Sequence, residues 1–124
     1  MRINLSIIIP AFNEQGSVKK LLEKIYSEIK TNNFGTVEII FVDDGSTDNT
    51  KLIVEDWLSK KKILSKLILF RTNRGKSPAL NEAFQSAQGD IVITMDADLQ
   101  DDPKEIKNFV SKINEGYDLS LIHI

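Results

Sequence analysis

The chain predicts an α/β fold in which alternating β-α units form a mostly parallel sheet with helices on both faces. Three observations lead there. Apolar runs of four to six residues recur along the chain, too short to be helices. Between them lie stretches whose apolar residues return every three or four positions, the period of an amphipathic helix. The runs are nearly continuous rather than alternating, as in strands covered by helices on either side.

Leu5 to Ile9 is the first such run. Val18, Leu21, Leu22, Ile25 and Ile29 then mark a helix, with Lys and Glu between them. Val37 to Val42 predicts a second strand, and Leu52, Ile53, Trp57 and Leu58 a second helix. Leu67 to Phe70 predicts a third strand. Ser77-Pro78 reads as an N-cap followed by proline at the first helical position. Leu80, Ala83, Phe84 and Ala87 give that helix its apolar face, with Gly89 as its end. Ile91 to Met95 predicts the fourth strand. Asp102-Pro103 opens a fourth helix, with Glu105 placed as in a capping box. Its stripe is Ile106, Phe109, Val110 and Ile113, and Gly116 stops it. Leu119 to Ile124 predicts a fifth strand. The chain ends inside that apolar run, which suggests a single domain, 1–124, truncated at its C-terminus.

Composition narrows the function. The 124 residues are 41% hydrophobic and 27% charged, an ordinary globular balance for one core. A net charge of -2 lacks the basic field of a nucleic-acid binder. Cysteine is absent and His123 is the only histidine, which excludes thiolate sites and disfavours His-based triads or zinc. No stretch approaches the ~20 apolar residues of a membrane span. The opening apolar run ends at Pro10 without a small-residue cleavage site, so the expected location is cytoplasmic.

Three strand ends carry unusual polar residues: Pro10-Ala11-Phe12-Asn13-Glu14, Asp43-Asp44-Gly45-Ser46 and Asp96-Ala97-Asp98-Leu99-Gln100. In a parallel sheet all three fall on one rim, where open α/β sheets bind ligands. In an extended segment Asp96, Asp98 and Gln100 share parity and point the same way. Three oxygen ligands on one face suit Mg²⁺ or Mn²⁺ together with a diphosphate. Each piece alone has a plainer reading. Asp43-Asp44-Gly45-Ser46 is ordinary turn chemistry, Asp96-x-Asp98 an N-cap region. The conjunction on one rim favours a site. Gly75-Lys76-Ser77 imitates a P-loop, but Phe70 stands where its first glycine belongs; Arg74 and Lys76 remain candidates to face phosphate or only solvent. An EF-hand fails at Asp101 and Lys107, and no G-x-G-x-x-G is present.

With these residues assembled, the chain resembles the family 2 glycosyltransferases, which carry the GT-A fold. Ser6-Ile7-Ile8-Ile9-Pro10-Ala11-Phe12-Asn13-Glu14 is similar to their opening strand and nucleotide loop. Val42-Asp43-Asp44-Gly45-Ser46-Thr47-Asp48 is similar to their second signature, and Asp96-Ala97-Asp98 to their metal-binding D-x-D. Met95 to Pro103, with Arg71 to Lys76, most resembles the dolichyl- or polyprenyl-phosphate sugar transferases. The resemblance implies a Rossmann-like sheet, the nucleotide-binding half of a GT-A fold. It also implies that Pro10, Phe12, Glu14, Val42 and Asp44 line a nucleoside pocket, with Phe12 against the base. Asp96, Asp98 and Gln100 would hold Mg²⁺ or Mn²⁺, and Ala97 would leave room for the nucleotide. Phe12 stands where tyrosine is common in the family, so the ring remains without a phenolic hydrogen bond.

The implied reaction moves a sugar from a UDP- or GDP-linked donor to an acceptor, a polyprenyl phosphate lipid or a glycan. Any catalytic base would lie beyond residue 124, and the chain alone is expected to be inactive in transfer. Membrane contact would come through parts outside this chain, placing the whole protein at the cytoplasmic face. The competing reading is a receiver-like regulatory module with Asp43 or Asp44 as phospho-acceptor.

Overall fold

A computed structural model describes residues 1–116 and 121–124. Five strands alternate with four helices: β1 (Ile3–Ala11), α1 (Val18–Thr31), β2 (Val37–Asp43), α2 (Thr50–Lys60), β3 (Leu64–Leu69), α3 (Lys76–Ser86), β4 (Gly89–Thr94), α4 (Glu105–Asn114) and β5 (Leu121–His123). The sheet order is β3-β2-β1-β4-β5, and every neighbouring pair is parallel. Chain order reverses beside β1, which leaves β1 between β2 and β4 at the centre.

Strand parity divides the core into two layers. Leu5, Ile7 and Ile9 of β1 and Ile39 and Phe41 of β2 pack with Leu21, Leu22 and Ile25 of α1, Val54 and Trp57 of α2, and Ile106 of α4. Ile8, Ile40 and Val42 face the other way, against Ala79 and Ala83 of α3. Both faces of β1 and β2 are covered, so these strands are apolar nearly throughout.

Several boundaries differ from expectation. β1 begins two residues earlier, at Ile3. β3 runs from Leu64 to Leu69, earlier than its apolar run, because that edge strand follows the register of β2 and is only partly buried. In α2 the buried face is Thr50, Val54 and Trp57, while Leu52 stands 63% exposed on the far side. α3 starts at Lys76 with Gly75 as N-cap, so Ser77 lies inside the first turn. Phe84 of α3 is exposed, and small Ala79 and Ala83 form its buried face. Gly89 opens β4 rather than merely closing α3, and a Cβ there would lie 2.6 Å from the Ser6 nitrogen. The Asp102 capping box does not form. Asp102 Oδ1 accepts from the Lys104 N–H at 3.0 Å, but Glu105 turns to Asn108, 3.2 Å away. Residues 119 and 120 of the expected fifth strand lie outside the described residues.

Candidate active site

The carboxyl ends of β1, β2 and β4 stand side by side, because Ala11 pairs with Asp43 and Ile8 with Thr94. The loops that leave them enclose a cavity of about 430 Å³. From the expected residues it gathers Pro10, Phe12, Glu14, Asp44, Asp96, Ala97 and Asp98. From the β3–α3 connection it adds Asn73 and Gly75, and from the start of α3 Lys76. Phe12 is 41% exposed, a ring presented rather than packed.

Side chains clamp the first loop to the second. Asn13 sits in the left-handed region at φ 52, a conformation Asn tolerates better than most residues. Its Oδ1 accepts from the Thr47 N–H at 2.8 Å and the Asp48 N–H at 3.3 Å, while its own N–H donates to Ser46 Oγ at 2.9 Å. The Glu14 N–H donates to Thr50 Oγ1 at 2.9 Å. Asp48 accepts from the Thr50 hydroxyl and N–H and from the Gln15 N–H. Its partial desolvation would raise its pKa, but these donors outweigh that and hold it below the usual carboxylate value.

Asp44 performs the same service for the third loop. Its Oδ1 accepts from the Arg74 N–H at 2.8 Å, and its Oδ2 from the Gly75 N–H at 3.0 Å and Asn73 Nδ2 at 3.2 Å. Gly45, at φ +74, lets the Thr72–Asn73 backbone approach; a Cβ there would fall 2.3 Å from the Thr72 carbonyl carbon. Asp44 therefore lines the cavity with its carboxylate already committed to shaping it. Asp43 is 2% exposed and outside the lining, with the parity of Ile39 and Phe41, and among the described residues its Oδ1 has no hydrogen-bond partner. The unpartnered oxygen of Asp43 is thus buried away from the cavity, and the carboxylate of Asp44 is committed to the third loop.

The acidic turn after β4 departs from the parity argument. β4 ends at Thr94, and Leu99 adopts φ 67, so residues 96–100 form a turn rather than an extended segment. Asp96 and Asp98 reach the cavity, but Gln100 does not; it lines a separate depression with Asp101, Asp102 and Lys24. Alternation holds only where the backbone is extended. Val42 is a second correction. Its side chain is fully buried against α3 and is not among the residues that line the cavity.

Asp96 carries the closest charge contact. Lys76 Nζ lies 2.6 Å from its Oδ1, and His123 Nε2 lies 3.6 Å from its Oδ2. Asp101 Oδ2 accepts from the Asp96 N–H at 3.2 Å. Among the described residues, Asp96, Asp101 and His123 offer ligand atoms within 4.8 Å of one another. Ser17 Oγ donates to the Ala97 carbonyl at 2.6 Å, tying the turn to the start of α1. Carboxylate oxygens at an open rim, one of them already holding an ammonium, are a donor set that fits a hard divalent cation. Arg74, by contrast, stacks on Phe70 at 4.6 Å and is not part of the lining.

A parallel α/β sheet with loops and carboxylates converging at a topological switch defines the class of open α/β folds that bind ligands at the carboxyl ends of their strands. Comparison with known proteins identifies which. The sequence model of glycosyl transferase family 2 matches residues 6–124, and the chain belongs to that family. It is 38% identical over 115 residues to an undecaprenyl-phosphate 4-deoxy-4-formamido-L-arabinose transferase of Proteus mirabilis, covering 93% of this chain and 35% of that protein. Among solved structures it is similar to the mannosyltransferase PcManGT of Pyrobaculum calidifontis in complex with GDP-Man and Mn²⁺. The TM-score is 0.76 and the identity 31%, over 89% of this chain and 32% of the other. TarS of S. aureus in complex with UDP-GlcNAc gives a TM-score of 0.75 and 29% identity, over 91% and 32% of the two chains. The architecture is thus the N-terminal part of a GT-A fold, and the chain spans about a third of the length of the relatives it matches.

Proposed function

We propose that this chain forms the donor site of a metal-dependent glycosyltransferase that moves a sugar from a nucleotide diphosphate to a polyprenyl phosphate. One observation carries the reading. Phe12, Asp44, Asp96 and Asp98, from three strand ends, converge on a single cavity whose Asp96 already holds a cation.

In this reading the base lies against the exposed Phe12 ring, in the pocket closed by Pro10 and Glu14. Asp44 keeps the Asn73–Gly75 backbone in place as the opposite wall. Asp96 and Asp98 hold a divalent cation, Mg²⁺ or Mn²⁺, and Ala97 leaves room beside them. That cation, when bound, neutralises the negative charge growing on the departing diphosphate. The bond between the sugar's anomeric carbon and the diphosphate oxygen breaks with its electron pair on the nucleotide, while the acceptor oxygen forms the new bond from the opposite side. A lipid phosphate is anionic and needs no general base; an alcohol acceptor would need one. The relative that transfers to undecaprenyl phosphate supports the lipid acceptor, and the GDP-Man, UDP-GlcNAc and Mn²⁺ complexes support the donor and the metal. No helix among the described residues is long and apolar enough to cross a membrane.

Calorimetric titration with UDP and GDP, with and without Mn²⁺, tests the donor site. Micromolar binding of one diphosphate that requires Mn²⁺ is the expected result. Equal binding without metal, or none of either nucleotide, overturns the reading.

A further inference from the structure

Lys76 is poorly placed for the stability of its own helix. It is the first residue of α3, and a cation in the first turn opposes the helix dipole. Its side chain is 52% exposed, so it contributes little burial. Its Nζ nonetheless lies 2.6 Å from Asp96 Oδ1, so the start of α3 meets the turn after β4 at the cavity that both residues line. The placement of its root is enforced. Gly75 turns the chain at φ +101, and the N–H groups of Arg74 and Gly75 are held by Asp44. A fixed root thus carries a flexible four-carbon stem ending in a point charge.

We infer that Lys76 is a resident counter-ion: it holds Asp96 while the metal is absent, gives way to the divalent cation, and then pairs with the donor's diphosphate. This rests on the donor-site reading above. Asp96 and Asp98 draw positive charge to one wall of the cavity, and an ammonium on Asp96 Oδ1 competes with any second cation for that oxygen. Charges of like sign at such a distance repel strongly where water is partly excluded. Once displaced, the ammonium stays within the same cavity, because its root does not move. A nucleotide held against Phe12 and reaching toward Asp96 and Asp98 brings its diphosphate into that space. Lys76 then contributes charge to the phosphates without extra binding to the nucleoside, so it distinguishes diphosphate from nucleoside. Pairing with Asp96 beforehand also keeps that carboxylate aimed into the cavity.

The test uses this chain and three measurements. Mn²⁺ alone is titrated into the wild type and Lys76→Met, followed by the free-ion EPR signal. UDP and GDP are then titrated by calorimetry at saturating Mn²⁺, and the matching nucleosides after them. Lys76→Met is expected to bind Mn²⁺ about two- to fivefold more tightly, since a partly exposed ion pair no longer competes. It is expected to bind the diphosphate about tenfold more weakly, from the loss of a charge-assisted contact, with nucleoside affinity unchanged. Lys76→Arg should restore most of the diphosphate affinity. Unchanged Mn²⁺ and diphosphate binding in Lys76→Met overturns the inference, as does parallel weakening of Mn²⁺, diphosphate and nucleoside with a lower Tm, the mark of a merely structural role. Failure of the wild type to bind Mn²⁺ and diphosphate overturns instead the donor-site reading beneath it.

Discussion

The two ends of the sheet both place carboxylates among apolar strands, and they use them in opposite ways. At the amino-terminal end, Glu38 of β2 is 2% exposed and fully partnered from within. The Ser6 hydroxyl donates to it at 2.6 Å and the Gln88 N–H at 2.8 Å, and Lys66 Nζ lies 3.3 Å away. Ser6 in turn accepts from the Gly89 N–H, so the cluster ties β1, β2 and β4 together, and Lys66 adds β3. Burial would raise the pKa of Glu38, but those hydrogen bonds and the lysine charge outweigh it and hold it below the usual value. At the carboxyl end, Asp96 meets a half-exposed lysine beside an open cavity. A buried charge with every partner internal is a structural fastener. A charge at an open rim whose partner is half exposed is within reach of a ligand.

The largest effect that would sharpen this contrast is at the rim. If the proposed donor site holds, Asp98→Ala is expected to weaken Mn²⁺-dependent nucleotide binding by about a hundredfold, since the direct ligand it would then be should matter at least as much as the residues that orient one. The same change should leave stability nearly untouched, because Asp98 is exposed and, among the described residues, its one side-chain hydrogen bond is from the nearby Gln100 N–H. Calorimetry and a thermal melt read the two quantities. A melt that falls as steeply as the affinity would break the distinction.

Glu38→Ala should show the reverse. Urea denaturation is expected to reveal a loss of about 1–3 kcal/mol, the usual cost of leaving buried donors unpaired, while nucleotide affinity of the folded protein is unchanged. A smaller effect, about 1 kcal/mol, is expected for Asn13→Ala, which removes the acceptor that orders the Thr47 and Asp48 amides. Because that clamp shapes the cavity, nucleotide affinity should fall with it.

The smallest predicted effect concerns pH. Glu38 has a folded pKa below the ordinary glutamate value of 4.5, so its contribution is complete above that value. It is lost as pH falls through the lower folded value, where the unfolded chain binds the proton first. Stability should therefore decline more gently below pH 4.5 in Glu38→Gln than in the wild type, as followed by urea midpoints across acid buffers.

Glu38 and Gln100 also mark where reading the sequence succeeds and where it stops. The rim was legible because three polar strings each follow an apolar run, and a parallel sheet can only bring such ends together. Glu38 was not, since a single charge inside an apolar run carries no signal of its partners, Ser6, Lys66 and Gln88, scattered along the chain. Gln100 failed because the parity argument assumed an extended backbone that Leu99 interrupts. Val42 failed because a residue beside a motif is not thereby on the cavity side of its strand. Lys76 was legible only as a cation near possible phosphate; its partner lies twenty positions onward.

By itself, then, the sequence determined the alternation of elements, the parallel sheet and the set of strand ends that meet, because hydrophobic period and strand direction are local properties that compel a global arrangement. Tertiary structure alone decided which carboxylates are committed and which are free. Asp44 is committed to the Asn73–Gly75 loop, Asp43 is buried, and Asp96 faces the cavity paired with a half-exposed lysine. Partners distant in the chain set the fate of each charge, and no periodicity records them.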